Sequence, residues 1–209
     1  PGLSGIEVSA DSVTVGALTT HADVAESAAL QDALPSLALL ASGIGDAQVR
    51  NRGTIGGSVA NADPAADYPA ALVGLGATVV TNRREIAADD FFTGMFETAL
   101  EPGELLTAVR FPRASRAAYA KFPNPASRYA MTGVFVSAGD SGVRVAVTGA
   151  AASVFRFAEM ETALATDLTP DALGGILPAA DDLLTDMHAS AEYRANLVNV
   201  MAQRAVASL

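Results

Sequence analysis

Twice along this 209-residue chain, short β-branched runs give way to helical patterns, and a polar connector, Arg113-Ala-Ser-Arg116, separates the two passes. Strands followed by helices, rather than strictly alternating with them, indicate an α+β fold and argue against a doubly wound parallel sheet. The expectation is therefore two subdomains, residues 1–112 and 113–209. The first would carry a mixed or antiparallel sheet, the second a three-stranded antiparallel sheet with a helical bundle.

In the first pass, residues 5–10 and 12–17 read as a hairpin around Asp11. Thr20, with Asp23 three residues on, marks the start of a helix running to about Ser27. Residues 37–51 hold a helical pattern loosened by Gly43 and Gly45, and residues 52–64 keep neither period and read as loop. Asp67 opens a short apolar helix. Residues 77–82 and 104–111 read as strands, with Leu105, Thr107, Val109 and Phe111 on one face. In the second pass the strand candidates are 118–122, 131–138 and 143–149, the last two around the turn Gly139-Asp-Ser-Gly142. Helices are expected over 159–165, after the Thr169-Pro170 cap, and after Ser190, where Leu197, Met201 and Ala205 recur every fourth residue.

Composition removes several function classes. With 13 basic and 23 acidic residues the formal charge is −10, so nucleic acid and anionic membrane surfaces are poor partners. There is no cysteine, which excludes disulfides, thiolate zinc sites and a cysteine-ligated iron–sulfur cluster within these residues. The two histidines, His21 and His188, lie far apart and make no metal motif. The longest apolar run, residues 70–80, is too short for a membrane span of about 20 residues. No secretory leader pattern is visible, so a cytoplasmic location is expected.

The segment Arg50-Asn-Arg-Gly-Thr-Ile-Gly-Gly-Ser58 is the most informative. Successive glycines let backbone N–H groups converge on one point, a nest that can bind phosphate oxygens. It is neither a Walker A loop nor a Gly-x-Gly-x-x-Gly fingerprint, and a plain glycine turn between two helices is the competing reading. Lys121 is the single lysine among the 13 basic residues, either a point charge kept for a ligand or an ordinary solvated ammonium. Asp67 is either a helix N-cap or an acceptor for sugar-chain hydroxyls. Tyr129 is either core or a stacking ring, and His21, just inside a helix start, reads as a surface or structural residue. No Ser/His/Asp triad or paired-carboxylate constellation stands out.

Three ordered segments, Gly16-Ala-Leu-Thr-Thr-His-Ala-Asp23, residues 45–58 and Ala62-Asp-Pro-Ala-Ala-Asp-Tyr-Pro69, resemble the FAD-binding, or medium, subunit of molybdenum hydroxylases. Downstream, Tyr119-Ala-Lys-Phe122, Ala126-Ser-Arg-Tyr-Ala130 and residues 143–149 resemble that family's C-terminal domain, with the carbon-monoxide-dehydrogenase-type members most similar. The resemblance implies that Thr54, Ile55, Gly56, Gly57 and Ser58 hold the FAD diphosphate. It places Ile44 and Leu106 as apolar contacts, Asp67 as an acidic contact, Lys121 as a cation at the cofactor and Tyr129 against the isoalloxazine. It further implies a second glycine-rich diphosphate motif in an N-terminal subdomain. Nothing in these 209 residues matches that motif, so the stretch by itself is expected to hold FAD weakly or not at all.

The function so implied is electron transfer. Substrate would be oxidised at molybdenum on a large subunit, and electrons would cross iron–sulfur clusters of a small subunit to FAD on this chain and leave to an external acceptor. Two other readings stay open: a non-catalytic interaction domain without cofactor, and a self-sufficient FAD oxidoreductase. Flavin absorbance after adding FAD separates out the first, and co-purification of the partner subunits the second.

Overall fold

The computed structural model describes residues 2–114, 116–140 and 142–209. Ser115 of the connector, Ser141 of the second-pass turn and Pro1 lie outside the described residues. The chain begins with β1 (Ile6–Val8) and β2 (Ser12–Gly16), followed by α1 (His21–Glu26), α2 (Ala28–Ala33), α3 (Pro35–Ser42), α4 (Ala47–Arg50), α5 (Ile55–Asn61) and α6 (Tyr68–Leu75). Then come β3 (Thr78–Thr81), β4 (Glu85–Ala87), α7 (Ala88–Phe91), β5 (Phe92–Gly94), β6 (Glu97–Thr98) and β7 (Leu106–Pro112). The remainder holds β8 (Arg116–Pro123), β9 (Ala130–Gly139), β10 (Gly142–Thr148), β11 (Phe155–Arg156), α8 (Ala158–Thr166), two 3-10 turns and α9 (Ala191–Val206).

One five-stranded sheet has the order β1-β2-β7-β3-β4, and its described pairs are all antiparallel. Its inward face is read directly from the alternation: Val15, Val109 and Val79 pair across three strands and are fully buried. Leu105, expected on this face, precedes the strand and is exposed. A second antiparallel sheet has the order β11-β10-β9-β8. It contains the three expected strands plus β11, whose two residues are too few to leave a pattern in sequence. β5 and β6 form a separate hairpin.

β9 is buried on both faces, and its alternation sends side chains to two different cores. Phe135 joins the core of the first sheet, while Val134 and Val136 join a second core with Met160, Leu164, Val198 and Met201 of α8 and α9. On the Phe135 side lies α6, every residue of which is buried. An all-round apolar helix needs such burial, and α6 obtains it between the two sheets. Its last carbonyls are met from the second sheet: Ser137 Oγ donates to Gly74 O at 2.6 Å and Arg144 Nε to Val73 O at 2.8 Å.

Two of the three capping signals, at Thr20 and Ser190, are realised. Thr20 Oγ1 accepts from the Asp23 amide at 3.1 Å while Asp23 reaches back to the Thr20 amide, and Ser190 Oγ accepts from the Tyr193 amide at 3.3 Å. Thr169 makes no cap bond and donates instead to Asp167, and a short 3-10 turn, Pro170–Leu173, follows it. Two helical expectations are corrected. The pattern over 37–51 is two helices, α3 and α4, separated at Gly45, whose φ is +49°. The stretch read as loop contains α5, capped by Thr54. Its two first-turn glycines are poor helix formers, which is why no helical period showed.

Candidate functional site

A cavity of about 560 Å³ opens where α1, α4, α5 and the β8–β9 hairpin loop converge. Ile44, Thr54, Gly57, Ser58, Asp67 and Tyr129 all line it, so six of the ten residues singled out from sequence meet at one place. The other four do not line it. Ile55 is fully buried in the first core. Leu106, at the start of β7, packs half-buried against that same core. Lys121 lies behind Asp67, and Gly56 faces β2.

The glycine pair does not form the open nest expected of it. Gly56 N donates to Ala17 O at 2.9 Å, Gly57 N to Thr54 Oγ1 at 3.1 Å, and Ile55 N to Thr19 O at 3.1 Å. Ser58 N continues the helix to Thr54 O at 3.0 Å. Gly56 is glycine for packing: a Cβ there would stand 2.6 Å from Ala17 Cβ. Among the described residues 53–58, only the Thr54 amide has no partner, leaving one donor at the cavity wall rather than a cluster.

Cations supply what the amides do not. Arg52 and Arg128 line the cavity and were carried by the motif segments without being named for a role. His21 also lines it, although it is 5% exposed. Burial, and secondarily the Arg50 charge, lowers its pKa to about 4, so the imidazole is neutral near pH 7. Its Nδ1 is buried without a partner, and its ring lies 5.3 Å from that of Tyr68. The sequence signal for His21 was its place in the Gly16–Asp23 segment; burial, which gives it its character, is invisible there.

Asp67 sits at the N-cap position of α6 but makes no cap bond. Its carboxylate instead accepts from Tyr119 Oη at 2.6 Å and from Lys121 Nζ at 3.0 Å, both from β8. Burial pushes the Asp67 carboxyl up, against the opposing pull of the Lys121 ammonium and the Tyr119 hydroxyl. Burial, and then the Asp67 charge, raises the Tyr119 phenol well above its ordinary value, so it stays a donor.

Backbone strain gathers around the same place. The non-glycine residues with positive φ among those described are Ala62 (48°), Phe96 (57°) and Arg128 (63°). Ala62 closes α5 and its carbonyl accepts from Phe96 N at 3.2 Å. Arg128 lines the cavity described above, and Phe96 lines another of about 340 Å³. Tyr129, half exposed, lines both.

The family model described as FAD binding domain in molybdopterin dehydrogenase matches residues 1–114. This chain belongs to that family. The medium subunit of nicotine 6-hydroxylase from Paenarthrobacter nicotinovorans is 36% identical over 99% of this chain and 78% of its own length. The carbon monoxide dehydrogenase medium chain of Hydrogenophaga pseudoflava is 33% identical over 99% and 77%. The solved structure of cyanide-inactivated Cu,Mo-CO dehydrogenase superposes with a TM-score of 0.88 at 33% identity, covering 99% of this chain and 78% of that one. The chain is thus an FAD-binding subunit of the molybdenum hydroxylase family, with the α+β architecture expected. Among the described residues no helix is long and apolar enough to cross a membrane, and no group of three or more potential ligands could hold a metal ion.

The cavity residues fit such a cofactor. Two guanidiniums and an unpartnered amide suit a diphosphate. Tyr129 offers an exposed aromatic face and Ile44 an apolar rim.

Proposed function

We propose that this chain is the electron-transfer flavoprotein of a three-part molybdenum hydroxylase. It would take electrons from iron–sulfur clusters on a small partner subunit and pass them to an external acceptor, while substrate is oxidised on a molybdenum-binding large subunit. FAD, when bound, supplies exchange between paired and single electrons. The chain's own residues bind and orient. Arg52, Arg128 and the Thr54 amide hold the diphosphate, with Gly57 and Ser58 as its floor. Asp67 is kept in place by Tyr119 and Lys121, and Tyr129 covers the ring. Residues 1–112 act in this reading as the middle part of the FAD-binding domain and 113–209 as a C-terminal domain that closes the site. The family match ending at residue 114 and the two separate sheets support that division.

The observation that carries the reading is the convergence of six motif residues with two arginines on one cavity. The carbon monoxide dehydrogenase type is the proposed class, supported by the TM-score of 0.88. Relatives named for nicotine and glyceraldehyde oxidation have comparable identity, 36% and 31%, so substrate choice is assigned to the large subunit. The test is reconstitution. FAD is added to the purified protein and bound flavin is read by absorbance, then small and large subunits are supplied and flavin bleaching by substrate is followed. Bleaching that needs both partners supports the reading. Stoichiometric flavin binding followed by substrate-driven bleaching without them would favour a self-sufficient oxidoreductase.

A further inference from the structure

The resemblance implies that Lys121 lies at the cofactor, and all three of its N–H donors are already committed inside the protein. Nζ donates to Gly43 O at 2.8 Å, to Asp67 Oδ2 at 3.0 Å and to Arg128 O at 3.0 Å. An ammonium has no fourth donor to offer. The three acceptors belong to three separate segments: the end of α3, the start of α6 and the loop joining β8 to β9.

Two of these segments meet at the rim of the cavity. The end of α3 leaves carbonyls without helical partners, and its last turn holds no basic residue. Cations from elsewhere meet them. Lys121 takes Gly43 O, Arg50 Nη1 takes Ile44 O at 3.0 Å and Gly45 O at 3.2 Å, and Arg128 Nη1 approaches Gly45 O at 3.4 Å. Beside this rim, residues 124–129 form a strap. Asn124 Oδ1 accepts from the amides of Ala126 and Ser127, and Arg128 N donates to Asn124 O at 2.9 Å. At its far end Arg128 holds a left-handed φ of 63°, a conformation an arginine keeps only when its surroundings impose it. The group that grips its carbonyl is Lys121.

We propose that Lys121 is a positioning residue, a latch that fixes the 124–129 strap against the Gly43–Gly45 rim and so holds Tyr129 and Arg128 at the cavity. The latch is a property of the protein alone. Only its consequence for the flavin rests on the FAD reading.

Trypsin reads the latch directly, because the bond after Arg128 carries the carbonyl that Lys121 holds. Cleavage there is compared with cleavage after Arg144, inside β10 and paired with Ser137 of β9, which reports global unfolding. In FAD-free protein, Lys121→Met is expected to speed cleavage at Arg128–Tyr129 roughly ten- to a hundredfold, the opening expected from losing one charge-assisted hydrogen bond. Cleavage at Arg144 should change by less than about threefold. Since Lys121→Met leaves a buried carboxylate without its cation, the double variant Asp67→Asn/Lys121→Met is measured beside it and should show the same selective cleavage. An unchanged Arg128 bond, or equal acceleration at both sites in both variants, overturns the proposal. FAD titration of the same proteins is scored separately. Failure of the reconstitution described above refutes the flavin reading while the cleavage result stands, and selective cleavage without loss of FAD affinity overturns the positioning role.

Discussion

The imidazole of His21 occupies the space where a side chain at position 53 would stand: a Cβ on Gly53 would lie 2.5 Å from His21 Nε2. The two residues are held together by the backbone as well, since His21 N donates to Gly53 O at 3.0 Å. The contact joins the start of α1 to the turn before α5, on the cavity wall that both residues line. Gly53→Ala is therefore expected to push His21 off its seat against Tyr68. The cost should be about 1–3 kcal/mol, as for other overpacked interiors. Urea denaturation reads the stability, and a parallel FAD titration should show weaker binding.

His21 also sets a pH window. Its folded pKa of about 4 lies below the ordinary 6.5, so between those values the unfolded chain binds more protons than the folded one. Stability should then rise with pH across that interval and fall as pH drops from 6.5 toward 4, by on the order of 2–3 kcal/mol in total. His21→Gln should flatten this part of the stability profile. A profile equally steep in the variant would place the titration elsewhere.

Gly56 and Gly57 should respond differently to the same change. At Gly56 an added Cβ meets Ala17 Cβ at 2.6 Å and Ala17 O at 2.7 Å, so α5 must withdraw from β2. At Gly57 the neighbour is Thr54 Oγ1 at 3.0 Å, on the exposed side of the helix. Gly56→Ala is expected to lower stability by more than about 1 kcal/mol, and Gly57→Ala by less, with some compensation from better helix propensity. Thermal melts of the two variants side by side decide it.

Tyr119→Phe removes the 2.6 Å bond to Asp67 and keeps the ring. Hydrogen bonds to a buried charge contribute about 1.5–3 kcal/mol, and a loss of that size is expected at pH 7. Because Tyr119 and Lys121 share the Asp67 carboxylate, the double variant with Lys121→Met should deviate from additivity. Additive losses in a denaturation cycle would mean that the two donors act independently.

What could be read from the sequence follows the range of the interaction. The capping box at Thr20 and Asp23 and the cap at Ser190 span three residues each and were legible. The alternation of Val13 and Val15 in β2 and of Val109 and Phe111 in β7 was legible too, because one face is buried. Helix α5 was hidden because its first turn contains two glycines, poor helix formers, of which Gly56 is needed for the close approach to Ala17. The roles of Asp67 and Lys121 were hidden for a different reason. They are 54 residues apart, and Lys121 is 78 from Gly43, so only the folded chain shows that the ammonium has no donor to spare.

Helix α6 belongs to neither half of the chain. Its sequence lies in the first, yet its carbonyls are finished by Ser137 and Arg144, and Gly74 lets it approach so closely that a Cβ there would stand 2.7 Å from the Phe135 ring. The two sheets are accordingly not interchangeable modules. A chimera joining the first 112 residues of one relative to the remainder of another inherits a mismatched seam unless positions 74, 135, 137 and 144 travel together. For the same reason the two halves should melt in one calorimetric transition, since parting them strands a wholly apolar helix in water.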